Sequence, residues 1–79
     1  MALRKLDETN FKPLRKLGVL REKRHDGTER CVYLGEWSGR QGIDIRDWKG
    51  AGLLGSGIFL NEDEVRTLRA ILDNLDFAR

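Results

Sequence analysis

The chain has 79 residues, of which 35% are charged and 39% hydrophobic, and its net charge is +2 at neutral pH. This composition fits one small globular domain and excludes collagen-like and low-complexity chains. No apolar run approaches the roughly 20 residues of a membrane-spanning helix, and the first ten residues lack the apolar centre of a signal peptide, so a cytoplasmic protein is expected.

The N-terminal part of the chain predicts an arm followed by a bent strand. Residues 1–10 are polar without a clear period and are expected to form a flexible arm, and residues 11–79 to form the only domain. Pro13 cannot donate to a sheet ladder, which favours an edge position. The stretch from Leu14 to Lys23 fits a bent strand with a bulge at Gly18, although a helix would tolerate much of the same pattern.

Two alternating segments follow, and they predict a β-hairpin with two different faces. The pair Asp26-Gly27 favours a tight turn into a strand from Glu29 to Trp37, and a second turn at residues 38–40 leads into a strand from Gly42 to Trp48. Alternation gives these strands an aliphatic face, formed by Val32, Leu34, Ile43 and Ile45. The opposite face carries Tyr33, Trp37, Asp44, Arg46 and Trp48.

The C-terminal third predicts a loop, a short strand and a helix. Residues 49–56 are rich in glycine, and residues 57–60 fit a fourth strand. Asn61, with Glu64 three residues later, matches a capping box at the start of a helix. The apolar stripe of this helix, formed by Val65, Leu68, Ile71, Leu72 and Leu75, is expected to cover the aliphatic face of the sheet. The expected fold is therefore α+β, with four antiparallel strands followed by one helix.

The positive charge is concentrated at the front of the chain. Residues 1–30 hold nine Lys and Arg against five Asp and Glu, whereas residues 61–79 hold three against five. A solvated surface of mixed sign explains such a distribution as well as a polyanion partner does, so charge alone does not decide between them.

Catalytic, metal and cofactor chemistry find little support in the sequence. With Cys31 as the only cysteine and His25 as the only histidine, neither an internal disulfide nor a zinc site within the chain is expected. The glycines of residues 50–55 match a dinucleotide fingerprint, but another strand precedes the helix, and the βαβ unit is absent. Asp44 and Asp47 fall on opposite faces, and neither Ser38 nor Ser56 has a recognisable base, so no enzyme is predicted.

The two tryptophans carry the functional prediction. A tryptophan in a small protein is usually part of the core, but Trp37 and Trp48 share strand parity with Tyr33 and Arg46, opposite the aliphatic face. This favours an uncovered aromatic face, and such a face marks a binding surface. Unpaired bases stack on aromatic rings with little regard to sequence, while nearby arginines hold the backbone. Reading of duplex DNA is not favoured, because no basic helix is present.

The order of these segments resembles the positive-cofactor-four family of transcriptional coactivators, and most closely its short bacterial members. The resemblance covers roughly residues 11–75 and is most specific at WSGR, DIRDW and GIFLNEDE. It implies a curved four-stranded antiparallel sheet with a C-terminal helix, forming a homodimer that binds single-stranded DNA with little sequence preference. Ser38 and Ser56 stand where members of the family often have basic residues, and the long regulatory tail of the eukaryotic members is missing.

The predicted function is therefore binding of single-stranded DNA, with RNA as a second candidate ligand, by a homodimer acting in transcription regulation or in DNA replication and repair. Association with the nucleoid and contacts with transcription or repair proteins would accompany such a role. The candidate contact residues are Lys23, Arg30, Tyr33, Trp37, Arg40, Arg46 and Trp48. The alternative is a protein-interaction module that docks a polypeptide on the same aromatic face, since tryptophan and arginine are also enriched at protein hot spots.

Overall fold

The computed structural model describes residues 3–77, and it forms one antiparallel sheet followed by one helix. Residues 1–2 of the predicted arm and residues 78–79 of the predicted domain lie outside the described part. The strands are β1 (Arg4–Lys5), β2 (Phe11–Arg21), β3 (Thr28–Trp37), β4 (Arg40–Lys49) and β5 (Leu53–Asn61), and the helix is α1 (Glu62–Asp73). The predicted α+β class is confirmed, but the sheet has five strands in the order β1-β5-β4-β3-β2 instead of four.

The hairpin of β3 and β4 is the regular centre of the sheet. Its ten residue pairs run without a break from Thr28 opposite Lys49 to Trp37 opposite Arg40. Ser38 and Gly39 form the two-residue turn, and both have positive φ angles, 49° and 85°. Positive φ at both central residues is the geometry of a type I′ turn, whose twist matches that of the flanking strands. The alternation predicted for these two strands is therefore confirmed.

The edge strand β2 is irregular. Its register against β3 shifts three times, at Leu14, Leu17 and Leu20, each of which falls between two paired residues. The predicted bulge at Gly18 is displaced by one residue, because Gly18 itself lies opposite Val32. Extra residues bend a strand and increase its twist. Repeated shifts of this kind curve the end of the sheet and make its edge a poor template for a further strand.

The fifth strand comes from the segment before Phe11, where the sequence predicts no element. Arg4 and Lys5 pair with Leu54 and Leu53 of β5, and the Leu6 amide donates to the Gly52 carbonyl at 2.8 Å. A 3-10 turn over Leu6–Glu8 then leads the chain to β2. β5 is correspondingly longer than predicted and begins at Leu53, because this pairing extends the sheet into the glycine-rich segment.

The core lies on the aromatic face of the sheet, which is the largest correction to the sequence-based prediction. The buried hydrophobic residues are Phe11, Cys31, Trp48 and Leu54, and Leu6, Tyr33 and Trp37 pack against them. Gly35 makes this packing possible, since a Cβ there would lie 2.4 Å from the Phe11 ring. A side chain at position 35 would push Phe11 off the sheet.

The aliphatic face, in contrast, is only partly covered. Helix α1 begins with the predicted capping box, in which Asn61 and Glu64 exchange side-chain to backbone hydrogen bonds. The helix lies against β4 and β5, yet none of its residues is buried. Ile58 on the sheet is 54% exposed and Ile71 on the helix is 60% exposed. A single copy of the chain therefore leaves apolar side chains of both α1 and the aliphatic face open to water.

Candidate nucleic-acid interface

Two pairs of aromatic and basic residues mark the accessible part of the aromatic face. Trp37 lies opposite Arg40 in the β3–β4 ladder, and Tyr33 lies opposite Lys16 in the β2–β3 ladder. Both rings are half-buried, and both basic side chains are exposed. Tyr33 and Trp37 are four residues apart on one strand, about 13 Å at the rise of an extended chain. The two pairs are thus two separate candidate contact sites along one edge of the core.

The ring of Trp37 is held in place from two sides. Its centroid lies 5.0 Å from that of Phe11, and its Nε1 donates to the Asp44 Oδ1 oxygen at 3.1 Å. The guanidinium carbon of Arg46 lies 5.2 Å from the ring centroid, within the range of a cation–π contact. A ring fixed in this way loses little conformational entropy when a base contacts the part of it that remains exposed.

Asp44 and Arg46 form the polar centre of the same face. Asp44 is fully buried, and it accepts hydrogen bonds from Arg46 Nε at 2.8 Å and from Arg46 Nη2 at 3.0 Å. The Arg46 Nη1 group donates to the Gly55 carbonyl at 3.2 Å, and the side chain is only 14% exposed. Arg46 was predicted to contact the nucleic-acid backbone, but its guanidinium is committed to Asp44 and Gly55. Its position supports Trp37 instead.

Trp48 was predicted to lie on an open surface, and this prediction is wrong. Its side chain is 3% exposed, with the Tyr33 ring at 4.9 Å and the Phe11 ring at 6.2 Å between centroids. Its Nε1 is buried and has no hydrogen-bond partner among residues 3–77. Trp48 is thus a core residue against which Tyr33 and Phe11 pack, and it offers no free face for stacking.

Arg30 lies on the other side of the sheet, because it shares the parity of Val32. Its Nε donates to the Asp47 Oδ1 oxygen at 3.0 Å, and Arg21 reaches the same oxygen at 3.3 Å. Asp47 is buried, so the two arginines neutralise a carboxylate that would otherwise be left unpaired. Arg30 is therefore separated from the aromatic pairs by the thickness of the sheet.

The predicted residue Lys23 lies at a pocket on the aromatic face, together with Lys16, which the sequence did not single out. The pocket has a volume of about 310 Å³, and its lining residues are Lys16, Lys23, Gly27, Glu29, Cys31, Tyr33, Trp48, Gly50 and Ala51. Lys16 was missed because its face depends on the register shifts at Leu14 and Leu17. Simple alternation along β2 carries no signal for those shifts.

Charge interactions favour the protonated form of Lys16. The pKa of its ammonium group is raised by the neighbouring Cys31 sulfur when that sulfur is ionised, and also by Glu29, whose Oε1 accepts from Lys16 Nζ at 3.4 Å. Burial raises the pKa of the Cys31 thiol, so it stays neutral at physiological pH and leaves Glu29 as the charged partner. Lys16 is consequently a full positive charge beside the Tyr33 ring.

Within residues 3–77 the structure contains no group of three or more His, Cys, Asp or Glu side chains arranged to hold a metal ion. Among the same residues, no helix has the length and apolar character required to cross a membrane.

Comparisons with protein-family models, curated proteins and solved structures found no match for this chain.

Proposed function

We propose that the protein binds single-stranded DNA along the edge of its aromatic face, with Trp37 and Tyr33 as stacking surfaces and Arg40, Lys16 and Lys23 as phosphate contacts. The observation that carries this proposal is the pairing of a half-buried ring with an exposed cation at two positions on one strand, Trp37 with Arg40 and Tyr33 with Lys16. Single-strand binding proteins combine these elements, a stacking ring and a charge that follows the backbone. RNA presents the same chemistry and is a second candidate ligand.

The set of contact residues differs from the set predicted from sequence. Arg46 and Trp48 are largely buried beneath the exposed rings and support them, and Arg30 belongs to the opposite face. The proposal thus rests on fewer groups, all of them accessible. The resemblance of WSGR and DIRDW to the positive-cofactor-four family supports the same ligand, and on that ground alone we assign the protein to transcription regulation or to DNA replication and repair.

We further propose that the active form is a homodimer in which a second copy covers the aliphatic face and α1. Exposed apolar side chains support this, namely Ile58 on the sheet, Ile71 and Leu72 on α1, and Leu75 just after it, which are 48% to 60% exposed. Large apolar patches are rarely left open to water on a soluble monomer, and they often mark a protein interface. In such a dimer the aromatic faces remain free, because the dimer contact uses the other side of each sheet.

Fluorescence anisotropy with labelled oligo-dT and a matched duplex tests the proposed ligand. We expect binding of the single strand and a weaker interaction with the duplex. If three phosphates are contacted per protomer, log affinity should fall with log salt at a slope of about −2, because single strands release about 0.7 counterion per phosphate contact. Duplex preference would overturn the proposal. Binding of a polypeptide on the aromatic face with little salt dependence would favour the protein-interaction alternative.

Two substitutions separate stacking from charge. Trp37→Leu removes the stacking surface, and we expect weaker binding with an unchanged salt slope. Arg40→Ala removes one phosphate contact, so the slope should become shallower by about 0.7. Arg69→Ala is the matched control, since Arg69 is an exposed arginine on α1, away from the aromatic face. If Arg69→Ala changed the slope as much as Arg40→Ala, the location of the site would be wrong. Thermal unfolding of each variant shows whether the fold survives.

A further inference from the structure

A pocket, called the slot below, lies at the far end of the aromatic face from Trp37 and Arg40. Its lining includes the ring of Tyr33, which rests on the buried Trp48, and Gly27, Gly50 and Ala51, which carry little or no side chain. Gly27 and Gly50 have φ angles of 84° and 65°, so other residues would be strained there and this part of the lining stays free of side chains. The slot has a volume of about 310 Å³, at the lower end of the range for small-molecule sites. A single nucleobase is an aromatic group small enough for such a site.

The polar groups of the slot include one carboxylate paired with one ammonium group. Glu29 and Lys16 both lie on the aromatic face, 3.4 Å apart, and their side chains are 35% and 44% exposed. Both are thus accessible to a ligand. The Glu29 Oε2 oxygen has no hydrogen-bond partner among the described residues, and Lys23 forms no ion pair among them. The slot therefore offers a carboxylate acceptor next to an ammonium donor, with a second ammonium at its mouth.

Guanine is the DNA base whose edge matches this pair. On its Watson–Crick edge, N1 and N2 are adjacent N–H donors and O6 is an acceptor beside them. A carboxylate accepts from both donors at once, while an ammonium donates to O6. Thymine has a single donor between two acceptors, and cytosine and adenine present an amino group beside an unprotonated ring nitrogen that would face the carboxylate. Single-stranded bases expose this edge to proteins, because it is not occupied by a partner base.

We propose that this slot is a guanine-selective subsite for one nucleotide of the bound strand, in which Glu29 and Lys16 read the base, Tyr33 packs against it and Lys23 holds its phosphate. Lys16 contacts a phosphate when the strand offers no guanine, as in oligo-dT, and turns to the base edge when guanine is bound. The inference rests on the proposed single-strand binding and deepens it. Binding elsewhere on the aromatic face tolerates any base, whereas this position discriminates.

The first test compares oligo-dT with the same oligonucleotide carrying one dG or one deoxyinosine at an internal position. The strand can slide, so the dG reaches the slot wherever it stands. We expect dG to tighten binding at least about fivefold over dT, the lower end for a bidentate contact to a base. Inosine lacks the N2 amino group and should fall between the two. Glu29→Gln should abolish the dG preference without weakening all-dT binding, because the substitution removes a negative charge beside Lys16.

Glu36→Gln is the matched control, since Glu36 lies on the same strand but shares the parity of Leu34, on the opposite face. It should leave the dG preference unchanged. Ala51→Leu fills part of the slot and should abolish the preference without removing a charge. Equal affinity for dG and dT in the unmodified protein would overturn the subsite and leave the proposed function standing.

A second measurement does not depend on strand binding. Titration with dGMP should shift the backbone amide signals of Gly27, Gly50 and Ala51 in a two-dimensional NMR spectrum, and dTMP should shift them less. If no single strand binds at all, the proposed function fails, and the dGMP titration then decides the subsite by itself. An absence of selective shifts at these three amides would overturn it.

Discussion

The aromatic and aliphatic faces of the sheet differ in how completely a single chain buries them. The aromatic face carries a buried aspartate, an arginine and glycines, yet it forms a closed core around Phe11 and Trp48. The aliphatic face is made of branched apolar side chains and stays half open, because α1 lies across only part of it. Large aromatic rings can cover several strands and bury one another, whereas short aliphatic side chains are buried only when a second layer of structure packs on them.

Hydrophobicity alone therefore does not determine which face of a small sheet becomes the core. The aromatic face closes since Gly35 admits the Phe11 ring, the N-terminal segment brings Leu6 over the sheet, and Asp44 satisfies the polar groups of Arg46 and Trp37. Only the edge of this face remains available to a ligand. The aliphatic face, which looks like a core from the sequence, is the surface that the proposed second copy would cover.

The largest expected effect comes from breaking the polar centre of the closed face. Asp44→Ala leaves the Arg46 guanidinium enclosed without its carboxylate, and loss of one partner of a buried ion pair costs about 3 to 5 kcal/mol. Urea unfolding followed by circular dichroism measures this. Asp73→Ala, at an exposed aspartate near the end of α1, serves as the control and should change stability little. A loss for Asp44→Ala no greater than that of the control would show that the network does not hold this face together.

A smaller effect is expected on the open face, where a charge should disturb assembly and leave the fold intact. Ile58→Asp places a carboxylate in the proposed dimer contact, and we expect the association constant to fall at least about tenfold, since burial of an isoleucine contributes about 1.5 to 3 kcal/mol. Light scattering over a concentration series gives the mass. Leu20→Asp is the control, because Leu20 is 62% exposed on the edge strand β2 and not on β5 or α1. If Leu20→Asp dissociated the protein and Ile58→Asp did not, the edge of β2 would be the contact.

The smallest perturbation probes how tightly the aromatic face is closed. Cys31 is 1% exposed, and burial raises the pKa of its thiol. Since the thiolate is the reactive form, alkylation at pH 8 should be at least about tenfold slower in the folded protein than in urea. The rate should keep rising with pH beyond the range where an exposed cysteine has levelled off. Equal rates in the two states would mean that this face opens readily.

Much of the local structure follows from residues close together in the chain. Asn61 and Glu64 predict the start of α1, and alternation predicts both faces of the β3–β4 hairpin. The pair Asp26-Gly27 predicts a turn, which is present and is closed by the Gly27 amide donating to the Arg24 carbonyl. These features depend on contacts within a few residues or on a regular period. Each of these three features depends on a short stretch of sequence, and each is confirmed.

The features that the sequence did not predict depend on contacts between distant segments. β1 is two residues long, and only its pairing with β5 makes it a strand. The burial of Trp48 depends on Phe11 and Leu6, and the orientation of Lys16 depends on register shifts that no periodic pattern contains. The parity of Trp48 was correct, but its exposure was not, because parity gives the face of a sheet and not what covers that face.

The most direct test of the proposed interface is an NMR titration of the protein with oligo-dT, observed through side chains of both faces. We expect shifts of the Trp37 indole and Tyr33 ring signals, with the methyl groups of Ile43, Ile45 and Ile58 unchanged. The buried Trp48 indole should move less than that of Trp37. Shifts concentrated in the isoleucine methyl groups, with Trp37 and Tyr33 unchanged, would contradict the assignment of the aromatic edge as the nucleic-acid interface.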